Sequence, residues 1–148
     1  MSRPTADEYF MDMAVLVASR ATCSRRKVGA VLVNERNHVI ATGYNGVPAG
    51  FHHCNEKNPC PGSDAPSGQG LDRCFSIHAE QNAMLQCKDV YDIHTAYVTA
   101  SPCITCVKLL LNTSCKRIVF LEEYPHGDSK TLWEMSNRDW IKFGDNEC

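Results

Sequence analysis

The sequence predicts an α/β fold in a single domain that spans residues 1–148. Apolar stretches with helical spacing alternate along the chain with short runs rich in valine, isoleucine and threonine, which are typical of strands. The chain has 148 residues, of which 43% are hydrophobic and 22% are charged, and this composition suits one domain around one sizeable core. No repeat, linker or domain boundary interrupts the alternation.

The N-terminal part predicts a helix followed by a β-hairpin. The helix is expected from Thr5 to about Ala21, with acidic residues early in the stretch and an apolar stripe that we expect to pack in the core, formed by Tyr9, Met13, Leu16 and Val17. The valine-rich run 28–33 fits a buried strand, and residues 38–43 return as its partner after a turn.

The loop 43–50 contains three glycines and a proline, too many to continue the sheet. Such a loop lets the backbone approach a ligand closely, and Asn45 offers both a donor and an acceptor for a sugar hydroxyl. The alternative is a tight turn with Asn45 in a left-handed conformation. The residues alone leave both interpretations open.

The C-terminal part alternates helices and strands. Helices are expected at 78–88, 103–111 and 131–135, and strands at 95–100, 117–121 and 139–143, the last at the sheet edge. Strand 95–100 runs directly into the start of a helix. Segment 101–106 is therefore expected at the carboxyl edge of the sheet, where open α/β sheets place their sites.

The sequence predicts a catalytic zinc site whose protein ligands are one histidine and two cysteines. His78, Cys103 and Cys106 supply three ligands, and the fourth tetrahedral position is left for water. Glu80 is separated from His78 by one residue, so it can carry a proton beside the metal without ligating it. The alternatives are a structural zinc site with a fourth Cys or His ligand and a redox Cys-x-x-Cys of thioredoxin type. Neither alternative needs Glu80.

Pro102 indicates how the second half of this motif begins. Proline is common at the first position of a helix, so Cys103 is expected to enter the first turn. Exposed backbone N–H groups there favour a thiolate over a thiol, and the thiolate is the form that binds zinc.

Composition and charge argue against several functional classes. Nine cysteines without an export signal favour metal ligands and free thiols over a disulfide framework. A formal charge of −2 argues against a broad nucleic-acid surface. The longest apolar run near the N-terminus, 13–18, is too short to span a bilayer. We therefore expect a cytoplasmic protein without a membrane or nucleic-acid partner.

The segment between His52 and Cys74 is long, irregular and rich in proline, glycine and cysteine. Loops of this length are uncommon in a compact domain unless an additional interaction stabilises them, and a second, structural zinc ion would provide one. The preferred ligands are Cys23, Cys54, Cys60 and Cys74, with His53 as the first substitute. The spacings match no standard zinc finger, and unmetallated thiols on a loop are the alternative.

His-x-Glu followed by Pro-Cys-x-x-Cys is the signature of zinc-dependent nucleobase deaminases. Four segments carry a more specific resemblance, namely 23–30 (CSRRKVGA), 43–50 (GYNGVPAG), 78–83 (HAEQNA) and 101–106 (SPCITC). Together they resemble the deoxycytidylate (dCMP) deaminases of the phage and bacterial type, within the cytidine deaminase superfamily. The glycine-rich loop and the cysteine-containing insertion before His78 favour this family within the superfamily.

The resemblance implies a three-layer α/β/α sandwich with a mixed central sheet of about five strands. It also implies hydrolytic deamination of dCMP to dUMP and ammonia, which supplies dUMP for thymidylate synthesis. Many members are homo-hexamers that are activated by dCTP and inhibited by dTTP, with magnesium accompanying the triphosphate effector.

Zinc chemistry suggests the expected mechanism. The metal lowers the pKa of a bound water toward neutrality, and Glu80 passes its proton to N3 of cytosine, which makes C4 electrophilic. Hydroxide then attacks C4, and Glu80 relays a proton to the departing amino group.

The remaining site residues are expected to hold the nucleotide. The backbone around Ala79 and Ser101 would face the base, and Asn45 would hold the deoxyribose, as similar positions do in the family. Arg26, helped by Arg25, would grip the 5′-phosphate with its planar guanidinium. A solvated basic turn is the alternative for these arginines. Tyr124 would stack on or hydrogen-bond to the ligand at the strand end, where ordinary packing is the alternative.

Three rival functions remain open on the sequence. The first is a deaminase that acts on dCTP. The second is a deaminase of cytosine or adenine in tRNA or single-stranded DNA, which would need a basic, aromatic channel that 8% aromatic residues and a negative charge disfavour. The third is a non-catalytic, zinc-stabilised nucleotide-binding protein, which the presence of Glu80 disfavours.

Overall fold

Every predicted helix and strand is present in the structure, a computed structural model that describes residues 2–22, 26–51, 75–125 and 127–144. The helices are α1 (Ala6–Ala18), α2 (Ala79–Gln86), α3 (Ile104–Leu111) and α4 (Ser129–Glu134), and the strands are β1 (Gly29–Val33), β2 (Val39–Tyr44), β3 (Thr95–Ala100), β4 (Arg117–Glu122) and β5 (Asp139–Lys142). A short 3₁₀ turn at Val90–Asp92 was not predicted. No helix in the described segments is long and apolar enough to cross a membrane.

The five strands form one mixed sheet in the order β2-β1-β3-β4-β5. Strand β1 pairs antiparallel with both β2 and β3, whereas β3, β4 and β5 run parallel to one another. The predicted hairpin and the predicted edge strand β5 are therefore confirmed. Because β3 and β4 are parallel, their carboxyl ends and the segments that follow them lie at the same edge of the sheet.

Helices cover both faces of this sheet, which confirms the three-layer α/β/α sandwich. Alternate side chains of a strand point to opposite faces. Val31 and Val33 of β1 pack with α1, whereas Ala30 and Leu32 of the same strand pack in the cluster that contains residues of α2, α3 and α4. Helix α2, which follows His78, thus lies on the face opposite α1.

Two glycines let the helices approach the hairpin closely. A Cβ atom on Gly29 would lie 2.1 Å from the backbone oxygen of Ala14 in α1. On Gly43 it would lie 2.4 Å from the backbone oxygen of Ala79 and the backbone nitrogen of Ala83 in α2. No side chain fits in either place, so the absence of a Cβ sets the distance of each helix from the sheet.

The apolar stripe predicted for α1 is wrong in part. Tyr9 is 50% exposed and Leu16 is 72% exposed, while Met13 and Val17 are partly buried against the core. The buried residues of the helix are instead Phe10, Met11, Ala14 and Ala18. The close approach at Gly29 accounts for this choice, since small residues must face a backbone that lies so near. The helix also ends at Ala18 and not near Ala21.

A polar link fastens α1 to the centre of the sheet. The hydroxyl of Tyr97 in β3 donates to Asp7 Oδ1 at 2.6 Å, and Arg117 of β4 forms an ion pair with Asp7 Oδ2 at 3.3 Å. Burial, together with the neighbouring carboxylate of Asp7, raises the pKa of Tyr97. The tyrosine therefore stays neutral and keeps donating throughout the physiological pH range.

Candidate active site

Three potential metal ligands from two helices meet in a buried cluster. His78 Nδ1 lies 3.2 Å from Cys106 Sγ and 3.4 Å from Cys103 Sγ. Within the described segments, these three residues are the group of histidine, cysteine and acidic side chains that could hold a metal ion. Both cysteines are buried and His78 is partly buried.

Each half of the cluster stands at the start of a helix. His78 is the N-cap residue of α2, and Cys103 is the N-cap residue of α3. The prediction that Pro102 opens the helix is therefore off by two positions, because the helix begins at Ile104 and Cys103 is still in an extended conformation, with φ −72° and ψ 170°. The electrostatic expectation is unchanged, since the backbone N–H groups of a first turn favour an anion at the N-cap as well.

The donor set fits a zinc ion. Typical Zn–S and Zn–N bond lengths in a tetrahedral site place a sulfur and a nitrogen ligand about 3.6 Å apart, close to both His78–cysteine distances. The Cys106 thiol donates to the Cys103 sulfur, and this hydrogen bond is the main reason why the pKa of Cys103 falls to about 3. The same bond, together with burial, raises the pKa of Cys106. Three donors from the chain leave a fourth coordination position for water.

Glu80 is the acidic side chain beside this cluster. It is the second residue of α2 and is only 5% exposed. Burial raises its pKa to about 7, although the charge of His78 acts in the opposite direction. A carboxyl group with a pKa near neutrality can both accept and release a proton at physiological pH, as general acid–base catalysis requires.

Two polar residues of α2 that the sequence reasoning missed fix the start of this helix. Gln81 Oε1 accepts from the backbone N–H of His78 at 2.9 Å, and Asn82 Nδ2 donates to the backbone oxygen of Tyr44 at 2.8 Å. A glutamine three positions after an N-cap residue is half of a capping-box pattern, so the first contact had a sequence signal. The second joins distant segments and had none.

Asn45 is buried, and its side-chain amide binds backbone groups. Oδ1 accepts from the N–H of Val28 at 2.7 Å, and Nδ2 donates to the carbonyl of Arg26 at 2.7 Å. Its backbone is not left-handed; in the described part of the chain, the residues other than glycine with a positive φ are Asn37 and Asn137. The turn alternative for Asn45 is therefore excluded, and its predicted contact with a sugar stays a prediction.

Arg26 and Tyr124 meet at the carboxyl edge of the sheet. The guanidinium of Arg26 lies over the ring of Tyr124, a cation–π contact. The backbone N–H of Tyr124 donates to Ser101 Oγ at 2.7 Å, and the N–H of Ser101 donates to the Glu122 carbonyl at 2.9 Å. Arg26, Tyr124 and Ser101 are thus linked to one another, and Ser101 lies two residues before the potential ligand Cys103.

Ala79 is the first residue of α2, between the potential ligand His78 and Glu80. Helix geometry gives its N–H no acceptor within the helix. The predicted roles of Ala79 and Ser101 toward a base stay predictions.

The residues proposed for a second zinc site lie outside the described residues, as does Arg25. They are Cys23, Cys54, Cys60, Cys74 and His53.

The chain matches the family model for the cytidine and deoxycytidylate deaminase zinc-binding region over residues 4–122. It is 44% identical over 131 residues to a deoxycytidylate deaminase of Mycobacterium phage D29, an alignment that covers 83% of this chain and 99% of the phage protein. It is also 43% identical over 126 residues to a deoxycytidylate deaminase of Schizosaccharomyces pombe, covering 82% of this chain but only 38% of that longer protein.

A solved structure shares the fold over nearly the whole chain. The dCMP deaminase of cyanophage S-TIM5, in complex with dCMP and dUMP, superposes with a TM-score of 0.76 at 28% identity and covers 97% of this chain and 100% of its own. The family model, which spans most of the sequence and includes His78, Glu80, Cys103 and Cys106, agrees with the geometry of the cluster. The chain belongs to the cytidine and deoxycytidylate deaminase family of zinc-binding proteins.

Proposed function

We propose that this protein is a zinc-dependent deaminase that hydrolyses dCMP to dUMP and ammonia. The observation that carries the proposal is the buried cluster of His78, Cys103 and Cys106 with the carboxyl group of Glu80 beside it. The phage D29 relative, which this chain covers almost completely, is named a deoxycytidylate deaminase and supports dCMP as the substrate.

The chain's own residues divide the chemistry between them. His78, Cys103 and Cys106 would hold the zinc ion, which supplies Lewis-acid activation of water at neutral pH. Glu80 takes a proton from the attacking water and delivers it to N3 of the cytosine ring, which makes C4 electrophilic. A bond forms between the water oxygen and C4. Glu80 then takes the remaining proton from the new C4 hydroxyl and delivers it to the amino group, the C4–N bond breaks as the C4 carbonyl forms, and uracil and ammonia result.

The pKa of Glu80 suits this relay. A carboxyl group with an ordinary pKa would hold a proton too weakly to protonate N3 and the leaving amino group at neutral pH. Burial raises the pKa to about 7 in the metal-free protein, which brings the two protonation states closer in free energy than they are in an exposed carboxyl group. Burial also keeps bulk water from competing for the proton.

The nucleotide would lie along the carboxyl edge of the sheet. Arg26 binds the 5′-phosphate, because its guanidinium is held over Tyr124 at that edge. Asn45 and Tyr124 border the sugar and phosphate, and the backbone around Ala79 and Ser101 faces the base. The dCMP and dUMP bound by the S-TIM5 relative support a monophosphate ligand for this fold.

Regulation and assembly form the finer part of the proposal. In this view, dCTP with magnesium activates the enzyme, dTTP with magnesium inhibits it, and the chain assembles into a homo-hexamer with a second, structural zinc in each copy. The resemblance of the four motifs to phage and bacterial dCMP deaminases supports the regulation and the hexamer, and the cysteines of the segment before His78 support the second zinc.

The test is ammonia release by zinc-loaded protein that is given dCMP, deoxycytidine, dCTP or a cytosine-containing single strand. Each substrate is assayed alone and with dCTP or dTTP plus magnesium, and molar mass is measured by light scattering under the same conditions. We expect turnover of dCMP that rises with dCTP and falls with dTTP. Preference for the single strand or for dCTP would overturn the proposed substrate, and unchanged rates with either triphosphate would overturn the regulation alone.

A further inference from the structure

We propose that Asn45 is a positioning residue for Arg26 and thereby contributes to selectivity for a 5′-phosphorylated substrate. The inference rests on the proposed function, in which Arg26 binds the phosphate. It is separate from a direct bond between Asn45 and the deoxyribose, which the donor and acceptor groups of Asn45 predict.

The geometry of the Asn45 side chain carries the inference. Its oxygen and its nitrogen each make a 2.7 Å hydrogen bond to the backbone of the segment that begins at Arg26, one to the N–H of Val28 and one to the carbonyl of Arg26. The residue is only 7% exposed. Two short hydrogen bonds from one buried amide hold the backbone of residues 26–28 in place beside the loop that carries Asn45.

Asn45 is itself held firmly relative to the metal-binding helix. Gly46, the next residue, exchanges two backbone hydrogen bonds with Ile77, which directly precedes the ligand His78. On the other side, the carbonyl of Tyr44 accepts from Asn82 of α2. The loop therefore moves with the start of α2, and Asn45 transmits this position to Arg26.

The guanidinium end of Arg26 has a separate anchor. It lies over the ring of Tyr124, whose backbone N–H is bound to Ser101, two residues before Cys103. Asn45 fixes the backbone of Arg26 relative to α2, and Tyr124 fixes its head group relative to the start of α3. The arginine is thus anchored to both helices that carry the proposed metal ligands. A residue that places a phosphate at a fixed distance from the metal needs such anchoring.

The test compares Asn45→Ala and Asn45→Asp with Arg26→Ala and with the double variant Asn45→Ala/Arg26→Ala. Aspartate keeps an acceptor for the Val28 N–H but sets a negative oxygen against the Arg26 carbonyl. The matched control is Asn34→Ala at the opposite end of the same hairpin. Its side-chain amide likewise makes two hydrogen bonds to backbone groups, both accepted by Oδ1, from the N–H groups of Arg36 and His38. Thermal unfolding establishes that each variant is folded.

We expect both Asn45 variants to lose about 10²-fold in kcat/KM for dCMP, the scale of loss that a small misplacement of a substrate-positioning group produces, and to lose much less for deoxycytidine. The double variant should be no worse than Arg26→Ala, because the two residues act as one unit. Asn34→Ala should leave the ratio of the two substrates unchanged. If Asn45→Ala lost activity equally on both substrates and additively with Arg26→Ala, a direct sugar contact would replace the proposal.

Binding of dUMP and deoxyuridine by calorimetry gives the same comparison without turnover. Weaker binding of dUMP alone in the Asn45 and Arg26 variants supports the positioning role even if dCMP is not the physiological substrate. Equal effects on dUMP and deoxyuridine would overturn the role even if dCMP is turned over rapidly. An Arg26→Ala variant that binds dUMP like wild type would overturn it as well, since Asn45 would then have no phosphate ligand to position.

Discussion

His78 and Cys103 are the N-cap residues of two different helices, and the Nδ1 atom of one lies 3.4 Å from the Sγ atom of the other. The backbone N–H groups of both first turns therefore face the same small volume. This arrangement favours a thiolate at Cys103, and it places Glu80 and Cys106 in those first turns beside the N-caps. The metal site is a junction of two helix starts, so it depends on how each helix is seated on the sheet.

Replacing Cys103 by serine should remove the zinc ion of this site. The variant loses a ligand and a thiolate, and we expect it to bind one equivalent of zinc fewer than wild type. Loss of a metal that is present at a thousand times its dissociation constant costs about 4 kcal/mol, or roughly 10 °C in unfolding midpoint. Metal analysis and thermal unfolding measure the two effects.

Cys87→Ser is the matched control for this experiment. Cys87 caps the end of α2, is partly buried and donates to the carbonyl of Asp89 at 3.3 Å. It should keep the wild-type zinc content. An undiminished zinc content in Cys103→Ser would show that Cys103 is not a ligand.

Replacing Glu80 by glutamine should abolish most activity while the metal site stays intact. Glutamine fills the same volume but cannot carry the proton, and loss of a general acid–base group costs about 10²- to 10⁴-fold in kcat. Zinc content should equal that of wild type. Glu134→Gln, an exposed carboxylate in α4, serves as the control and should keep full activity. Near-wild-type turnover by Glu80→Gln would exclude the assigned proton relay.

The elements of the fold could be predicted from sequence because their signals are local. Valine-rich runs and helical spacing identified each strand and helix, and the spacing of His78, Glu80, Cys103 and Cys106 predicted a cluster that the structure assembles. The buried face of α1 could not be predicted in this way. Residues 9–11 and 13–18 are all apolar, so the buried side is decided by Gly29 on a different element.

The contacts that Asn45, Arg26 and Tyr124 make near the proposed phosphate site could not be predicted from the sequence either. Asn45 binds residues 17 and 19 positions away, and Arg26 meets Tyr124 across almost a hundred residues. Neither pair has a characteristic spacing, because each depends on the order of strands in the sheet. The sequence placed Asn45 at the site but could not show that its amide is bound to backbone.

The metal-free protein should become less stable between about pH 4.5 and pH 7 because of Glu80. Burial raises the pKa of this carboxyl from 4.5 to about 7, so the folded state binds its proton more tightly than the unfolded state does. Its contribution to stability is therefore fully present below pH 4.5 and is lost as the pH rises through 7. The loss is on the order of 3 kcal/mol.

Urea unfolding of metal-free wild type and metal-free Glu80→Gln at pH 5 and pH 8 isolates this effect, because the other titrating residues are common to both proteins. The glutamine variant should be the more stable of the two at pH 8. Bound zinc should weaken the dependence, since a nearby cation favours the carboxylate. Parallel pH curves for the two metal-free proteins would contradict the assignment.

The cysteines of the segment before His78 predict a second zinc ion. Wild-type protein should contain more than one zinc per chain, and Cys54→Ser should lose the extra equivalent because a structural tetrahedral site needs all four ligands. Metal analysis decides the point. A wild-type content of one zinc per chain would remove the second site from the proposal.

Gly43→Ala tests whether the close contact between α2 and the hairpin positions the residues of the active site. An added Cβ would lie 2.4 Å from the backbone of both Ala79 and Ala83, and helix backbone cannot rotate away as a flexible side chain can. Overpacking of this kind costs about 1–3 kcal/mol, and we expect a value near 3 kcal/mol in urea unfolding. Because α2 begins at His78 and carries Glu80, its displacement should reduce kcat further than stability alone explains, by roughly 10²-fold.

Gly127→Ala is the control for this variant. No heavy atom lies within 4 Å of a Cβ at Gly127, so the change should stay within about 0.5 kcal/mol of wild type and leave kcat unaltered. If Gly43→Ala lowered stability but kept wild-type kcat, α2 would have tilted about its first turn without moving the cluster. The ligands would then be positioned by α3 and by the hydrogen bond between Gln81 and His78, and the contact with the sheet would serve stability alone.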